Sequence, residues 1–306
     1  MKKVLFATTA LVATAGVAAA DVTFSGYGRF GVQYTDDVSS GESSTNVTSR
    51  LRMQIDATAE SDAGVTFGGR VRFQADEGTN AAGDPTGSAF DANGVRFFAR
   101  SGGLEVGVGN IFGALEFMPG MYPIDLGLTG LGYDYTAFNF RGDAYDSNGS
   151  GAYGSNGVEL IYSFGDFSVH VSASDVNDRI AAHAAYTWNG WTFALAAQDS
   201  DNDYDTEYAA TVAGSFGIAD VSLAYAKNGD DDATGLGGDH IVLAARFDVG
   251  AATNVEVYVA DADYFAETSY GIDFNHDMGG GTSLRGGVAS LGNDDTRVDM
   301  GVRFNF

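Results

Sequence analysis

Along most of the chain apolar and polar residues alternate one by one, a period of two that sends successive side chains to opposite faces of a β-strand. The last ten residues do so without a break. Val298, Met300, Val302, Phe304 and Phe306 share one face, while Arg297, Asp299, Arg303 and Asn305 share the other. Near the start, Val22, Phe24, Phe30, Val32 and Tyr34 oppose Thr23, Ser25, Arg29 and Gln33. Leu51, Met53, Ile55 and Ala57 then oppose Arg50, Arg52, Gln54 and Asp56, and Val65, Phe67, Val71 and Phe73 oppose Thr66, Arg70, Arg72 and Gln74. Comparable runs cover 95–100, 158–164, 167–171, 191–197, 208–212, 221–225, 241–247, 255–259 and 270–274.

Sixteen such segments between Asp21 and Phe306 leave about 18 residues each, room for a tilted span of ~9–11 residues and a connection. Several joints are tight, with Asn, Asp or Gly at the turn: Phe164-Gly165-Asp166-Phe167, Trp188-Asn189-Gly190-Trp191 and Phe216-Gly217-Ile218. Others are long and acidic, such as Asp199 to Asp205 and Asp230 to Asp239. One face of each segment stays apolar while the other carries charges, hydroxyls and glycines. A soluble sandwich would fill its inner faces with large apolar residues, whereas these faces suit a wet interior. The expected fold is all-β: a single-domain, sixteen-stranded antiparallel transmembrane barrel over residues 21–306. Aromatic residues at strand ends, including Tyr34, Tyr162, Phe164, Phe167, Trp188 and Trp191, suit the girdles of such a barrel. A closed sheet must join its terminal strands, so Asp21 and Phe306 are expected at the closure.

Residues 1–20 read as a secretory signal, with Lys2 and Lys3, an apolar stretch from Val4 to Val17, and Ala18-Ala19-Ala20 before Asp21. The chain has no cysteine, which removes a disulfide framework. It carries 16 basic against 41 acidic residues, too acidic for the basic footprint of a nucleic-acid binder. Gly26, Gly28 and Gly31 match a dinucleotide fingerprint but lie inside an alternating strand, with no helix to open on a phosphate. The four histidines lack metal-ligand spacing, and no nucleophile elbow occurs. Neither enzyme activity nor a required cofactor is expected. Asp199, Asp201 and Asp203 resemble the start of a calcium loop, yet Tyr204 and Ala210 stand where the glycine and the bidentate glutamate belong. Calcium in the acidic loops is therefore only a loose expectation.

Seven arginines, Arg29, Arg50, Arg52, Arg70, Arg72, Arg96 and Arg100, fall on the polar parity of the first strands. An arginine facing hydrocarbon at mid-depth costs about 2–4 kcal/mol, so this parity predicts a basic patch on one interior wall. The non-alternating stretch 111–156 holds Glu116, Asp125, Asp134, Asp143 and Asp146. Leu115, Phe117, Met118, Leu126, Leu128 and Leu131 in it need something to pack against. Connections of this length are usually functional.

Gly26-Tyr27-Gly28-Arg29-Phe30-Gly31-Val32-Gln33-Tyr34, Ser49-Arg50-Leu51-Arg52, Gly64-Val65-Thr66-Phe67-Gly68, Val108-Gly109-Asn110 and the terminal Asp299-Met300-Gly301-Val302-Arg303-Phe304-Asn305-Phe306 resemble the Rhodobacter-type general porins of alphaproteobacterial outer membranes. The likeness spans residues 21–306, although the loop sequences depart from the family. It implies a homotrimer among outer-membrane lipid and lipopolysaccharide, with the third long loop folded into the pore. Glu116, Asp125 and Asp134 would then face the arginines across a constriction, through which ions and small hydrophilic solutes diffuse passively. The competing readings are a substrate-specific outer-membrane channel and a secreted, soluble acidic β-protein.

Overall fold

The computed structural model describes residues 20–37, 41–79, 85–138, 156–175, 178–201, 205–229 and 237–306. The expected signal segment, Asp143, Asp146, Asp203 and the Asp230-Asp231-Asp232 run lie outside them. Among the described residues there is no helix, and the chain runs as seventeen strand segments. These begin with β1 (Asp21–Asp37), β2 (Glu42–Glu60), β3 (Thr66–Thr79), β4 (Pro85–Ala92), β5 (Arg96–Ser101) and β6 (Leu104–Gly109). Next come β7 (Gly157–Phe164), β8 (Phe167–Ala173), β9 (Ile180–Trp188), β10 (Trp191–Asp199), β11 (Glu207–Phe216) and β12 (Ala219–Asn228). The last are β13 (Gly238–Asp248), β14 (Thr253–Ala262), β15 (Ser269–Gly279), β16 (Thr282–Ser290) and β17 (Thr296–Asn305).

Both β4 and β5 pair with β3, at its end and its beginning respectively, so they form one span broken at residues 93–95. Sixteen spans result. Each pairs antiparallel with the next, and β17 pairs with β1, which closes the sheet. Closure removes the open edges that lipid cannot hydrate.

The joint differs in detail from the expected pair. Phe306 exchanges both backbone hydrogen bonds with Gly26, and Asn305 stands opposite Tyr27. Asp21 instead lies opposite Thr58 of β2. The first strand simply begins five residues beyond the end of its partner, so Phe306 belongs to the closure and Asp21 does not.

Most connections at one rim of the barrel are shorter than those at the other. At one rim the joints are residues 61–65, 102–103, 165–166, 189–190, 217–218, 249–252 and 280–281. In the 189–190 joint Asn189 and Gly190 both take positive φ, 51° and 81°, the backbone that a two-residue hairpin twist demands. The opposite rim carries the long connections, of which 110–156 is the longest.

Outward positions are apolar and exposed, among them Phe24, Val32, Leu51, Phe97, Leu195, Leu243 and Met300. Exposed aromatics gather near both rims: Phe164, Phe167, Trp188 and Phe216 beside the short turns, and Tyr208, Tyr225 and Tyr270 towards the long ones. No helix among the described residues is long and apolar enough to cross a membrane; the strands supply the crossing surface.

Leu195, 67% exposed at the middle of β10, tests this assignment. Leu195→Arg is expected to destabilise the lipid-embedded barrel by about 2–4 kcal/mol, read as a lower midpoint temperature for loss of the folded band on an unboiled gel. An unchanged midpoint would place this face in water.

Candidate functional site: the lumen and its inner loop

The interior is divided between two unlike walls. On β1, β2 and β3 the inward side chains are Tyr27, Arg29, Arg50, Arg52, Arg70, Arg72 and Gln74, half-buried or buried. On β9 to β14 they are largely alanines: Ala181, Ala185, Ala194, Ala196, Ala209, Ala224, Ala226, Ala244 and Ala260, joined by Val242 and Tyr258. Against these small residues lies the connection after β6, with Leu115, Met118, Met121, Ile124, Leu126, Leu131, Tyr135 and Phe138 buried. The molecule's apolar core thus sits inside the barrel, between loop and wall. Alternation alone had indicated a polar lumen throughout; alanine is too small to register as a core residue in that pattern. Phe117, Tyr122 and Tyr133 are exceptions among the loop's large residues, since they remain exposed.

The loop's backbone is fastened to the wall as it runs around the lumen. Phe112 N–H donates to Glu159 at 3.0 Å, and Ala114 N–H to the Ser172 hydroxyl at 2.9 Å. His183 Nδ1 meets the Ala114 carbonyl at 2.5 Å, and the Thr211 hydroxyl donates to Pro119 O at 2.5 Å. Three wall carboxylates then receive successive amides. Glu256 accepts from Asp125 N–H at 3.0 Å and Asp273 from Gly127 N–H at 2.6 Å. Asp299 accepts from Leu128 N–H at 2.9 Å, and from both the amide and hydroxyl of Thr129 at 2.7 Å. Beyond that point His240 Nε2 donates to Asp134 O at 3.1 Å, and the Asn228 amide to Ala137 O at 3.2 Å. Burial holds the Tyr135 phenol well above its ordinary range, so this ring stays neutral.

Backbone proximity requires missing side chains at one place. Gly31 and Gly301 stand opposite each other on β1 and β17, with the Leu128 methyls lying over both. A Cβ on Gly301 would be 2.6 Å from Leu128 Cδ2, and one on Gly31 2.7 Å from it. The glycines form a notch that the loop fills. Two members of the nucleotide-like glycine pattern, Gly28 and Gly31, thereby have packing roles: Gly28 lies under the Phe304 ring.

The nominated arginines do not all do the same thing. Arg29 and Arg50 are cross-strand neighbours; Arg29 donates to Leu128 O at 2.8 Å, and Arg50 pairs with Asp76 at 2.5 Å. Arg52 donates to Gln74 at 2.5 Å and lies over the Tyr27 ring, while Arg70 pairs with Asp56 at 2.6 Å. Glu116 is within electrostatic reach of Arg72. Arg96 departs from the expectation. It is 3% exposed, pairs with Glu159 at 2.5 Å and Glu105 at 2.6 Å, and stacks on Phe112 with 3.8 Å to the ring centroid. His170 adds a 2.9 Å contact to Glu159, completing a buried charge cluster that seats the loop's first turn. A buried arginine needs paired carboxylates to offset its desolvation, and Glu105 and Glu159 supply them, so Arg96 does not face the opening. Arg100 lies beside the short-turn rim, opposite Thr66, 3.9 Å from Glu105.

The acids separate as well. Asp125 is exposed and pairs with Arg285 at 2.6 Å and Arg303 at 2.8 Å, neither of which belongs to the arginine patch on the first strands. Asp134 is 2% exposed and accepts from Gly292 N–H at 2.9 Å, so it pins the loop rather than facing the arginines. Asp199 accepts from the Thr206 hydroxyl at 2.8 Å, and no group of three or more metal-ligating side chains occurs among the described residues.

The Gram-negative porin family model matches residues 7–296. The chain belongs to this family. It is 31% identical over 302 residues to a porin of Fuscovulum blasticum and 29% identical over 327 residues to a porin of Rhodobacter capsulatus, covering 94% of this chain and 100% of each relative. Among solved structures, a mutant Rh. blastica porin superposes with a TM-score of 0.80 at 28% identity, and a triple mutant with 0.75 at 30%, each over 94% of this chain and 100% of that one. This is therefore an outer-membrane porin, a barrel whose homologues are channels.

The Asp299 anchor is the sharpest test of the loop's seat. Asp299→Ala leaves three donors without an acceptor, at about 1–3 kcal/mol each. A larger and noisier single-channel conductance is expected, together with proteolytic cleavage inside 111–138. Parental conductance with an uncut loop would show that Asp299 does not hold it.

Proposed function

We propose that this porin is a general diffusion channel for ions and small hydrophilic solutes, with its constriction between the arginine wall and the edge of the inner loop. The observation that carries the reading is the loop's seat inside the closed barrel, which narrows the lumen opposite Arg29, Arg50, Arg52, Arg70 and Arg72. Arg52 and Arg29 spend hydrogen bonds on neutral oxygens, of Gln74 and Leu128, so their charge is not cancelled by those contacts. Glu116 and Asp125 provide negative charge along the loop. Opposed charges across a narrow opening orient water and favour polar solutes over apolar ones, and they bias which ion enters. The acidic loops favour cations, but salt screens their charge over ~10 Å, so the constriction weighs more. Family likeness supports a homotrimer as the working assembly.

Removing positive charge from the wall should increase the preference for cations. Arg52→Ala with Arg72→Ala is expected to shift the reversal potential in a potassium chloride gradient towards potassium and to raise the conductance. An unchanged potential and unchanged conductance would take both residues out of the constriction.

A further inference from the structure

A second polar feature lies below the loop, at the short-turn end of β13 to β17. There the inward ends of these strands enclose a recess of about 540 Å³, open to the lumen. Its size is within the range of small-molecule sites. Asn254 and Asn275 stand opposite each other on β14 and β15, and Asn305 and Ser283 come from β17 and β16.

The two facing asparagines are unusual. Asn254 is 8% exposed, and its side-chain oxygen, like that of Asn275, is buried without a hydrogen-bond partner. Buried polar groups are nearly always paired, and leaving one unpaired costs free energy. A turn about the Cβ–Cγ bond lets an asparagine present either its oxygen or its NH₂ group to an incoming molecule.

Both arginines that line the recess already face carboxylates, and Asp277 adds a further negative charge to its lining. Arg246 pairs with Asp248 at 3.3 Å, and Arg285 is held by Asp125 of the loop at 2.6 Å. An anion would have to break these pairs. A solute rich in hydroxyls, donor and acceptor at each group, could bond to the amides without disturbing them. We infer that this recess is a weak binding subsite for an uncharged, polyhydroxylated solute of mono- or disaccharide size, which passes through the lumen along the β13–β17 wall. The inference rests on the diffusion-channel reading above.

The test uses the purified porin in planar bilayers, with sucrose titrated into potassium chloride solution. Sucrose should reduce the current along a saturating curve. Asn254→Ala with Asn275→Ala should raise the half-blocking concentration roughly tenfold, the effect of losing two hydrogen bonds. Should the double variant fail to assemble, Asn275→Ala alone should raise it about threefold. A strictly linear fall in current, as viscosity alone would give, overturns the subsite. So does an identical titration in parent and variant, or a saturating block by inorganic phosphate at lower concentration than by sucrose. Absence of any potassium chloride conductance in the parent would instead remove the channel reading itself.

Discussion

The structure depends on the fit between the inner loop and an alanine-lined wall. The outward apolar side chains of a membrane barrel leave water for lipid. An apolar segment that does not face lipid can leave water only in the barrel's interior. By setting alanines inward on β9 to β12, β13 and β14, the chain makes room for Leu115, Met118, Met121 and Ile124 without closing the lumen. Where those alanines stop, carboxylates and histidines take over and receive the loop's backbone.

This arrangement explains why charge is so unevenly distributed. A loop crossing the lumen exposes amides and carbonyls that secondary structure does not satisfy, and each needs a partner if buried. Glu256, Asp273 and Asp299 serve that need on one wall, and they contribute to the acidity of the chain. On the facing wall the arginines remain half-buried against water. Arg96 illustrates the boundary: directly opposite Arg70 on the neighbouring strand, it passes under the loop and is neutralised by Glu105 and Glu159. Parity fixes that an arginine points inward. It does not fix whether loop or water covers it.

The barrel itself was legible in the sequence because alternation reports directly on two unlike faces, and the tight turns mark one rim. The closure was legible in kind but not in register, since nothing in Asp21 or Phe306 states how far one terminal strand overhangs the other. The loop anchors were not visible. Glu159, His170, Ser172, His183 and Thr211 look like ordinary lumen-facing polar residues, and the histidines lacked any spacing to connect them. All but His170, which braces Glu159, contact 111–138, distant in sequence, so only three-dimensional placement unites them. Asp125 and Asp134 show the same limit: both are acids of one loop, yet one meets Arg285 and Arg303 while the other meets a backbone amide.

The central claim is that the loop rests against the barrel wall in the conducting channel. Because the chain has no cysteine, a pair introduced as Ala114→Cys on the loop and Ser172→Cys on the wall, where amide and hydroxyl lie 2.9 Å apart, reports on this contact without background. Disulfide formation requires Cβ atoms about 3.5–4.5 Å apart. The pair should oxidise in the assembled porin, and single-channel conductance should be the same before and after reduction. Failure to cross-link in the folded barrel, or a conductance that changes sharply when the bond is reduced, would mean that the working channel holds its loop elsewhere.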